Sequence, residues 1–217
     1  MWYCVGCSST KYKPNWKTWP DFLSMSLSDS SSSNIGVSGA ANELISRLIL
    51  KNAKKNDSVV VMWSGFNRYY DQEFTEKFGH DIGRNKDDRY TINQLLDRTV
   101  ENIWTAQQYC RLNEINLYQF TNNIFELGGT KKIHKIPKYL DIGYKDFPMS
   151  IAEFSLDHPS KLQNKIDDTH PFPSQHYKYF RDIISPIIKI KPVELSEPML
   201  DSFDAAAVKH ALNKVPS

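Results

Sequence analysis

This chain has few cysteines, almost no excess of charge of either sign, and no long apolar run. Only three of its 217 residues are cysteines, and so small and odd a number argues against a disulfide framework. Lysine and arginine number 27 against 25 aspartates and glutamates, so no basic surface for nucleic acid or an anionic membrane is expected. No segment approaches the roughly 18 apolar residues of a membrane span. These absences favour a soluble globular protein with neither nucleic acid nor a membrane among its partners.

The N-terminus lacks the basic and then apolar regions of a secretory signal peptide. A strand-like segment begins at once, so we expect a cytoplasmic protein, or one delivered without a cleaved signal. A length of 217 residues suits one α/β domain with a full core and is short for two. We expect that domain to span residues 1–190. The tail, residues 191–217, has apolar residues at helical spacing, which predicts an amphipathic helix packed on the domain or on a partner.

Segments typical of strands and helices alternate along the chain. Strands are predicted for residues 1–5, 59–63 and 115–121, and helices for residues 15–27, 41–49, 174–185 and a long segment from Thr91. The unbroken apolar run 59–63 predicts an interior parallel strand covered on both faces. The alternation predicts a three-layer α/β/α sandwich around a parallel sheet of about five strands.

Local signals refine these elements. Thr91, with Gln94 three residues later, forms a capping box that predicts the start of the long helix. Asn42 and Ser46 are predicted to lie on the polar side of their helix, away from the core. Pro186 is expected to end or kink the helix that contains it. Residues 29–33, which are rich in serine, are predicted to be an exposed loop or a poor strand, and their composition favours the loop. Loops are also predicted for residues 69–89 and 128–148, and an anion-binding role is the less favoured alternative for the lysine-rich segment 128–148.

The strand-like run over residues 1–5 ends in a turn of small residues, Gly6-Cys7-Ser8-Ser9-Thr10. Such a turn exposes one side chain at the end of a strand. In an open parallel sheet, ligands bind beyond the carboxyl ends of the strands. Ser8 therefore lies where a catalytic nucleophile is expected, although most turns of this kind have no catalytic role.

The same segment contains a C-x-x-C pair, formed by Cys4 and Cys7. This spacing has a second interpretation, as a redox pair or as half of a metal site. Zinc would need further ligands, and the third cysteine, Cys110, lies inside a predicted helix. We therefore predict that Cys4 is a buried strand residue and that the protein has no metal site.

Candidates for a base that serves Ser8 come late in the chain, in Asp167-Asp168-Thr169-His170-Pro171. A serine hydroxyl becomes an effective nucleophile when an adjacent base accepts its proton and a third group orients that base. Asp167 and His170 are three residues apart, so on one helical turn they share a face. Asp168 is the neighbouring alternative, but at its spacing it points away from the histidine unless the loop is extended.

Four short blocks, in this order, resemble the SGNH hydrolases, the GDSL-type esterase and lipase superfamily. The turn over residues 6–10 is similar to the first block, Gly-Asp-Ser with a following threonine. Residues 34–39 are similar to the second block, and Gly65-Phe66-Asn67 is similar to the Gly-x-Asn of the third. Residues 167–171 are similar to the terminal Asp-x-x-His-Pro block. The resemblance implies that the α/β domain is flavodoxin-like, as these hydrolases are.

The resemblance also implies a catalytic centre and a reaction. Ser8 would be the nucleophile, His170 its base, and Asp167 the group that orients the base. The oxyanion would be held by the backbone N–H groups of Ser8 and Gly39 and by the side-chain amide of Asn67. The reaction implied is ester hydrolysis through an acyl-enzyme, with no metal or organic cofactor.

The chain departs from the family pattern at two positions. Cys7 replaces the usual aspartate of the first block, which supports the turn and is not part of the proton relay. Arg68 replaces the aspartate that commonly follows the third-block asparagine, so the next loop is held differently. His176 falls where the terminal block often carries a helix-opening Gly-His pair. The alternative to an enzyme is an inactive binding module of the same fold for a carbohydrate or protein partner.

Aromatic residues follow the first and third blocks, namely Trp16, Trp19, Phe66, Tyr69 and Tyr70. They are predicted to form a platform for a sugar ring, which favours an O-acetyl group on a carbohydrate as the ester. The alternative is that the tryptophans belong to the ordinary core. The first block and the following Trp-Pro also resemble SGNH proteins of bacteriophages and environmental bacteria, so a virion-associated protein is a second expectation. The sequence does not indicate an oligomeric state.

Overall fold

A parallel sheet lies at the centre of the computed structural model, which describes residues 1–11, 15–28, 30–66, 68–69, 83–84, 90–122, 147–163, 166 and 170–212. The strands are β1 Trp2–Gly6, β2 Ser32–Asn34, β3 Ser58–Trp63, β4 Arg68–Tyr69, β5 Gly83–Arg84 and β6 Asn116–Thr121. The helices are α1 Trp19–Ser26, α2 Asn42–Asn52, α3 Ile92–Leu112, α4 Ile151–Asp157, α5 Pro173–Tyr179, α6 Ser185–Ile188 and α7 Glu197–Leu212, with a π-helical turn, Phe180–Ile184, between α5 and α6. Four strands form the parallel sheet in the order β2-β1-β3-β6, and β4 pairs with β5 in antiparallel orientation.

The central strand β3 is buried along its whole length. All of its residues are buried, as the unbroken apolar run predicts. Val60 and Met62 contact one apolar cluster, whereas Val59 and Val61 contact another. Because successive side chains of a strand point to opposite faces, the sheet has an apolar layer on each side.

Helices cover both of these faces. Helices α2 and α3 pack against each other in the cluster that contains Val59 and Val61. Helices α1, α4, α5 and α7 contribute side chains to the cluster that contains Val60 and Met62. The architecture is therefore an α/β fold with a parallel sheet flanked by helices, as predicted, and it is compatible with a three-layer sandwich.

Three details differ from the sequence predictions. The end of the serine-rich run forms the edge strand β2, the alternative that its composition did not favour, and Ser32 pairs in parallel with Trp2 of β1. Backbone pairing with β1 here outweighs a composition that is poor in strand-forming residues. Asn42 and Ser46 are buried instead of facing solvent. The described part of the chain has four strands in the parallel sheet where about five were expected.

The predicted start of the long helix is confirmed, whereas Pro186 does not end the helix that contains it. The Thr91 N–H donates to Gln94 Oε1 at 2.8 Å, and the Gln94 N–H donates to Thr91 Oγ1 at 3.3 Å, which completes the capping box. Pro186 lies in α6, directly after the π-helical turn. The Ser185 hydroxyl donates to the Arg181 carbonyl at 2.8 Å and satisfies an acceptor inside that turn. Proline has no N–H and cannot donate the backbone hydrogen bond of a regular helix. The wider π-helical turn before Pro186 accommodates this loss, so the helix continues past the proline.

The C-terminal tail belongs to the packed domain through α7. Leu200 lies in the same core cluster as α5, and Ala207 lies in a smaller cluster with Trp16 and Phe172. The predicted helix therefore packs on the domain. None of the helices among the described residues is long and apolar enough to cross a membrane. The predicted loops over residues 69–89 and 128–148 fall almost entirely outside the described residues.

Candidate active site

Polar residues follow the carboxyl ends of neighbouring strands in the parallel sheet. Ser8 follows β1, Ser64 follows β3, and Asn122 follows β6. The Asn122 N–H donates to the carbonyl of Trp63, the last residue of β3, at 2.8 Å. Because parallel strands end at one edge, these residues lie close together where a ligand is expected to bind.

The turn after β1 presents Ser8 at this edge. The N–H groups of Thr10 and Lys11 donate to the Cys7 carbonyl at 2.9 and 3.0 Å, so residues 7–11 form a helical turn. Ser8 lies at the start of that turn and is 5% exposed. The strand-to-turn geometry thus places Ser8 beyond the carboxyl end of β1, as predicted, but the residue is buried where an exposed side chain was expected.

Thr10 explains the two glycines in the first and second blocks. A Cβ atom on Gly6 would lie 2.2 Å from Thr10 Oγ1 and 2.8 Å from the Met62 carbonyl oxygen. A Cβ atom on Gly36 would lie 2.8 Å from Thr10 Cγ2. Side chains cannot occupy those positions without moving their neighbours. The Gly-x-Ser-x-Thr pattern is therefore explained by packing, since Thr10 lies directly against Gly6 at the end of β1.

Hydrogen bonds join the second block to the first. The Asn34 side-chain amide donates to the Thr10 carbonyl at 2.8 Å, and its oxygen accepts from the Gly36 N–H at 3.1 Å. The Val37 N–H donates to the Gly6 carbonyl at 3.0 Å. The loop between β2 and α2 is thus held beside the Ser8 turn.

His170 is brought to Ser8 from the far end of the chain. Its Nε2 lies 3.0 Å from Ser8 Oγ, although the two residues are 162 positions apart. This distance is within the range of a hydrogen bond between a nucleophile and its base. With the ring protonated on Nδ1, the Ser8 hydroxyl donates to Nε2, which is the direction of proton transfer that activates a serine.

Trp16 and Phe172 anchor the chain next to His170. The Trp16 Nε1–H donates to the Pro171 carbonyl at 2.9 Å. The Trp16 and Phe172 rings pack with centroids 5.3 Å apart. The Phe172 N–H donates to Gln175 Oε1 at 2.7 Å, at the start of α5. The residues that follow His170 are therefore fixed by one aromatic pair and two hydrogen bonds.

The tryptophans are not available as a sugar platform. Trp16 is 4% exposed and Trp19 is 0% exposed, so neither presents a ring face on which a ligand could stack. The core-packing alternative therefore describes both residues. Phe66 is partly exposed beside the edge of the sheet. The side chain of Tyr69 and all of Tyr70 lie outside the described residues.

Gly39 belongs to the loop between β2 and α2. It is buried and has a φ of 81°, a left-handed conformation that favours glycine. Asn67, Asp167 and Asp168 lie outside the described residues. Their roles in the oxyanion hole and in orienting His170 therefore stay predictions.

Asn42 is a site-forming residue that the sequence interpretation missed. Its side-chain nitrogen donates to the Ser64 carbonyl at 2.9 Å, and its oxygen accepts from the Ser64 N–H at 2.7 Å. Both backbone groups of Ser64 are thus held by the first residue of α2. Ser64 directly precedes the third block, so Asn42 fixes the point where that block leaves β3.

Asn122 is a second residue of this kind. The Ser9 hydroxyl donates to Asn122 Oδ1, and the Asn122 carbonyl accepts from the Ala152 N–H at 3.1 Å. Asn122 thus connects the turn that carries Ser8 with the beginning of α4. An asparagine immediately after a predicted strand was the signal available in the sequence.

The cysteines pack as core residues. Cys4 and Cys7 are free and buried. Burial, with a smaller contribution from Asp21, raises the pKa of the Cys4 thiol far above its usual value. Burial also raises the pKa of Cys110 to about 11. The thiols of Cys4 and Cys110 therefore stay protonated near neutral pH and are poor nucleophiles or metal ligands. Among the described residues, no three His, Cys, Asp or Glu side chains are grouped to bind a metal.

His176 lies in α5 and is 1% exposed. Its Nδ1 has no hydrogen-bond partner among the described residues. Burial, and secondarily repulsion by the charged form of His170, lowers the pKa of His176 to about 3. His176 therefore stays neutral near neutral pH and does not compete with His170 for a proton.

The arrangement as a whole places a serine hydroxyl and an imidazole together at the edge of a parallel sheet. Ser8 and His170 are within hydrogen-bond distance, and their flanking segments are held by buried contacts. No protein-family model matches the sequence, and no curated protein matches it. The chemistry that Ser8 and His170 can perform together is therefore the basis for a function.

Proposed function

We propose that this protein is a serine ester hydrolase of the SGNH type. The observation that carries the proposal is the 3.0 Å separation of Ser8 Oγ and His170 Nε2. The two residues come from the first and last of the blocks that resemble this family. The strand order β2-β1-β3-β6, with Ser8 after an interior strand, supports the flavodoxin-like fold that the proposal includes.

In the proposed reaction, Ser8 Oγ attacks the carbonyl carbon of an ester. His170 Nε2 accepts the proton of the Ser8 hydroxyl as the new C–O bond forms. His170 then donates that proton to the leaving alcohol oxygen as the original ester C–O bond breaks. Water repeats the sequence on the acyl-enzyme and releases the acid. No metal or organic cofactor takes part in these steps.

The proposed oxyanion hole consists of the backbone N–H groups of Ser8 and Gly39 and the side-chain amide of Asn67. The helical turn over residues 7–11 supports the Ser8 part of this assignment, because N–H groups at the start of such a turn have no partner inside it. Removing one donor of this type typically lowers the rate by about 10²–10³-fold. Asp167 is proposed to orient His170 and to stabilise its protonated form.

We further propose a small acyl group as the part of the substrate that is transferred. The 5% exposure of Ser8 supports this, because a nucleophile so enclosed leaves little room for a long acyl chain. A carbohydrate as the alcohol part is the second half of this proposal. Phe66, which is partly exposed, is the described residue that supports a contact with a sugar ring.

The test is the hydrolysis of short-chain p-nitrophenyl esters and of acetylated sugars. The wild-type protein should cleave them, and Ser8→Ala should abolish cleavage without unfolding the protein. Ser24→Ala, which changes an exposed serine on α1, is the matched control and should retain full activity. Turnover that survives Ser8→Ala would assign the nucleophile elsewhere. A wild-type protein that cleaves none of these esters would favour the binding module.

A further inference from the structure

Helix α7 carries a buried carboxylate, Asp204, which is 3% exposed. Its Oδ1 accepts from the Ser174 N–H at 2.8 Å. Its Oδ2 accepts from the hydroxyls of Ser174 and Ser160, each at 2.6 Å. A buried charge is unfavourable unless hydrogen bonds replace its water. Here both oxygens are satisfied, and the three bonds fix Asp204 against two parts of the fold, Ser174 in α5 and Ser160 in the segment after α4.

One of these bonds replaces a missing helix cap. Helix α5 begins at Pro173, and the preceding residue, Phe172, has no side-chain acceptor. The N–H groups of a first helical turn have no partner inside the helix. Asp204 supplies the acceptor for the Ser174 N–H from another helix, and its negative charge is favourable at this helix end.

The apolar contacts of α7 reach the same segment. Ala207, three residues after Asp204, lies in one cluster with Trp16 and Phe172. Trp16 in turn donates a hydrogen bond to the Pro171 carbonyl. The segment from residue 171 to residue 174 is therefore held by α7 through a carboxylate on one side and an aromatic pair on the other. His170 is the residue immediately before it.

We propose that Asp204 is a positioning residue for His170. It acts through Ser174 and the first turn of α5, and it holds the chain so that His170 Nε2 stays at hydrogen-bond distance from Ser8 Oγ. This inference rests on the proposed function for its effect on turnover. The sequence places α7 in a tail beyond the domain. In this proposal, α7 instead positions a residue of the active site.

The experiment compares Asp204→Asn with Asp201→Asn. Asp201 is on the same helix, is exposed, and pairs with Lys161 at 3.0 Å, so its amide variant controls for loss of a charge on α7. Asp204→Asn should lower kcat per folded molecule by about 10- to 100-fold with little change in KM, since a small displacement of a catalytic group has effects of that size. Asp201→Asn should leave both constants unchanged.

Two milder variants cover the case in which Asp204→Asn does not fold. Ser174→Ala and Ser160→Ala each remove one hydroxyl bond to Asp204 and leave the Ser174 N–H bond intact. Ser174→Ala should lower kcat, and Ser160→Ala, which is farther along the chain from His170, should lower it less. If the wild-type protein is active and both variants have the same kcat as wild type, the proposal is overturned.

A spectroscopic readout separates this inference from the proposed function. The ring-proton resonances of His170 can be assigned by their loss in His170→Gln. In Asp204→Asn they should shift or broaden, while in Asp201→Asn they should match wild type. This holds even if the wild-type protein cleaves no ester, in which case the proposed function fails and the positioning is still tested. A fully folded Asp204→Asn with unchanged kcat and unchanged His170 resonances would show that Asp204 has only a structural role.

Discussion

The side chain of Asn42 binds both backbone groups of Ser64, donating at 2.9 Å and accepting at 2.7 Å. This pairing joins the start of α2 to the end of β3. Asn42 is 1% exposed, so the two hydrogen bonds are buried. Because the third block begins at the next residue, the position of that block depends on a side chain from the second helix. The edge of the sheet is therefore organised by buried polar contacts as well as by the strands.

Asn42→Ala should destabilise the protein strongly. The change leaves the Ser64 N–H and carbonyl buried without partners, which together should lower the free energy of unfolding by about 3 kcal/mol. Urea denaturation measures this directly. Asn52→Ala, at the other end of α2, removes one bond to the Leu48 carbonyl and should lower it by less than about 1 kcal/mol. Equal effects of the two variants would contradict the role assigned to Asn42.

Gly36→Ala should be destabilising because of Thr10. The new Cβ would lie 2.8 Å from Thr10 Cγ2, a contact that should lower the free energy of unfolding by about 1–3 kcal/mol. Thr10→Ser removes that methyl group and should relieve part of the penalty. A double-mutant cycle by urea denaturation should give a favourable coupling of about 0.5 kcal/mol or more. Strictly additive effects would show that the contact does not explain Gly36.

His176 should make the protein sensitive to acid. Its pKa is lowered to about 3 in the folded state from an ordinary value of 6.5, so the unfolded state binds the proton more tightly. The stability due to a neutral His176 is complete above pH 6.5 and is lost as the pH falls from 6.5 toward about 3. Between neutral pH and about pH 4.5 the wild-type protein loses stability because of His176. In His176→Leu, the loss of stability over this range should therefore be smaller by about 2 kcal/mol. The measurement is urea denaturation across that range, and parallel curves for the two proteins would contradict the prediction.

Much of this fold could be predicted because its signals are local. The apolar run of β3, the capping box at Thr91 and the turn after β1 each depend on neighbouring residues. The pairing of Ser8 with His170 could also be predicted, because the resemblance links short blocks in a fixed order. The structure adds the distance between the two side chains, which no spacing in the sequence provides.

The residues that could not be predicted act at long range. β2 is short and polar, so it has no apolar pattern, and its strand conformation depends on pairing with β1. Asn42 lies in the first turn of a helix, where helical periodicity does not reveal that the end of β3 covers it. Asp204 binds Ser174 from a helix with no motif, so its role is visible only in three dimensions. The burial of Trp16 was likewise not predictable, because its ring packs against Phe172 and Ala207, which are distant in the sequence.

The choice between Asp167 and Asp168 can be tested by paired amide variants. Asp167→Asn should leave the fold intact and lower kcat by about 10⁴-fold if Asp167 orients His170 as in other serine triads. Asp168→Asn should change kcat little, because its spacing from His170 does not match the family block. Circular dichroism checks that both variants fold. A reversed result would place the register of this loop one residue away from the one predicted.

The proposed function requires that Ser8 is a nucleophile activated by His170. The most direct measurement is the rate at which a fluorophosphonate becomes attached to Ser8, followed by mass spectrometry of the intact protein and of the peptide that contains Ser8. One equivalent should attach to Ser8 in the wild-type protein, and His170→Ala should slow the reaction by about 10³-fold or more. A wild-type protein that stays unlabelled, or labelling of Ser8 at the same rate in His170→Ala, would contradict the claim.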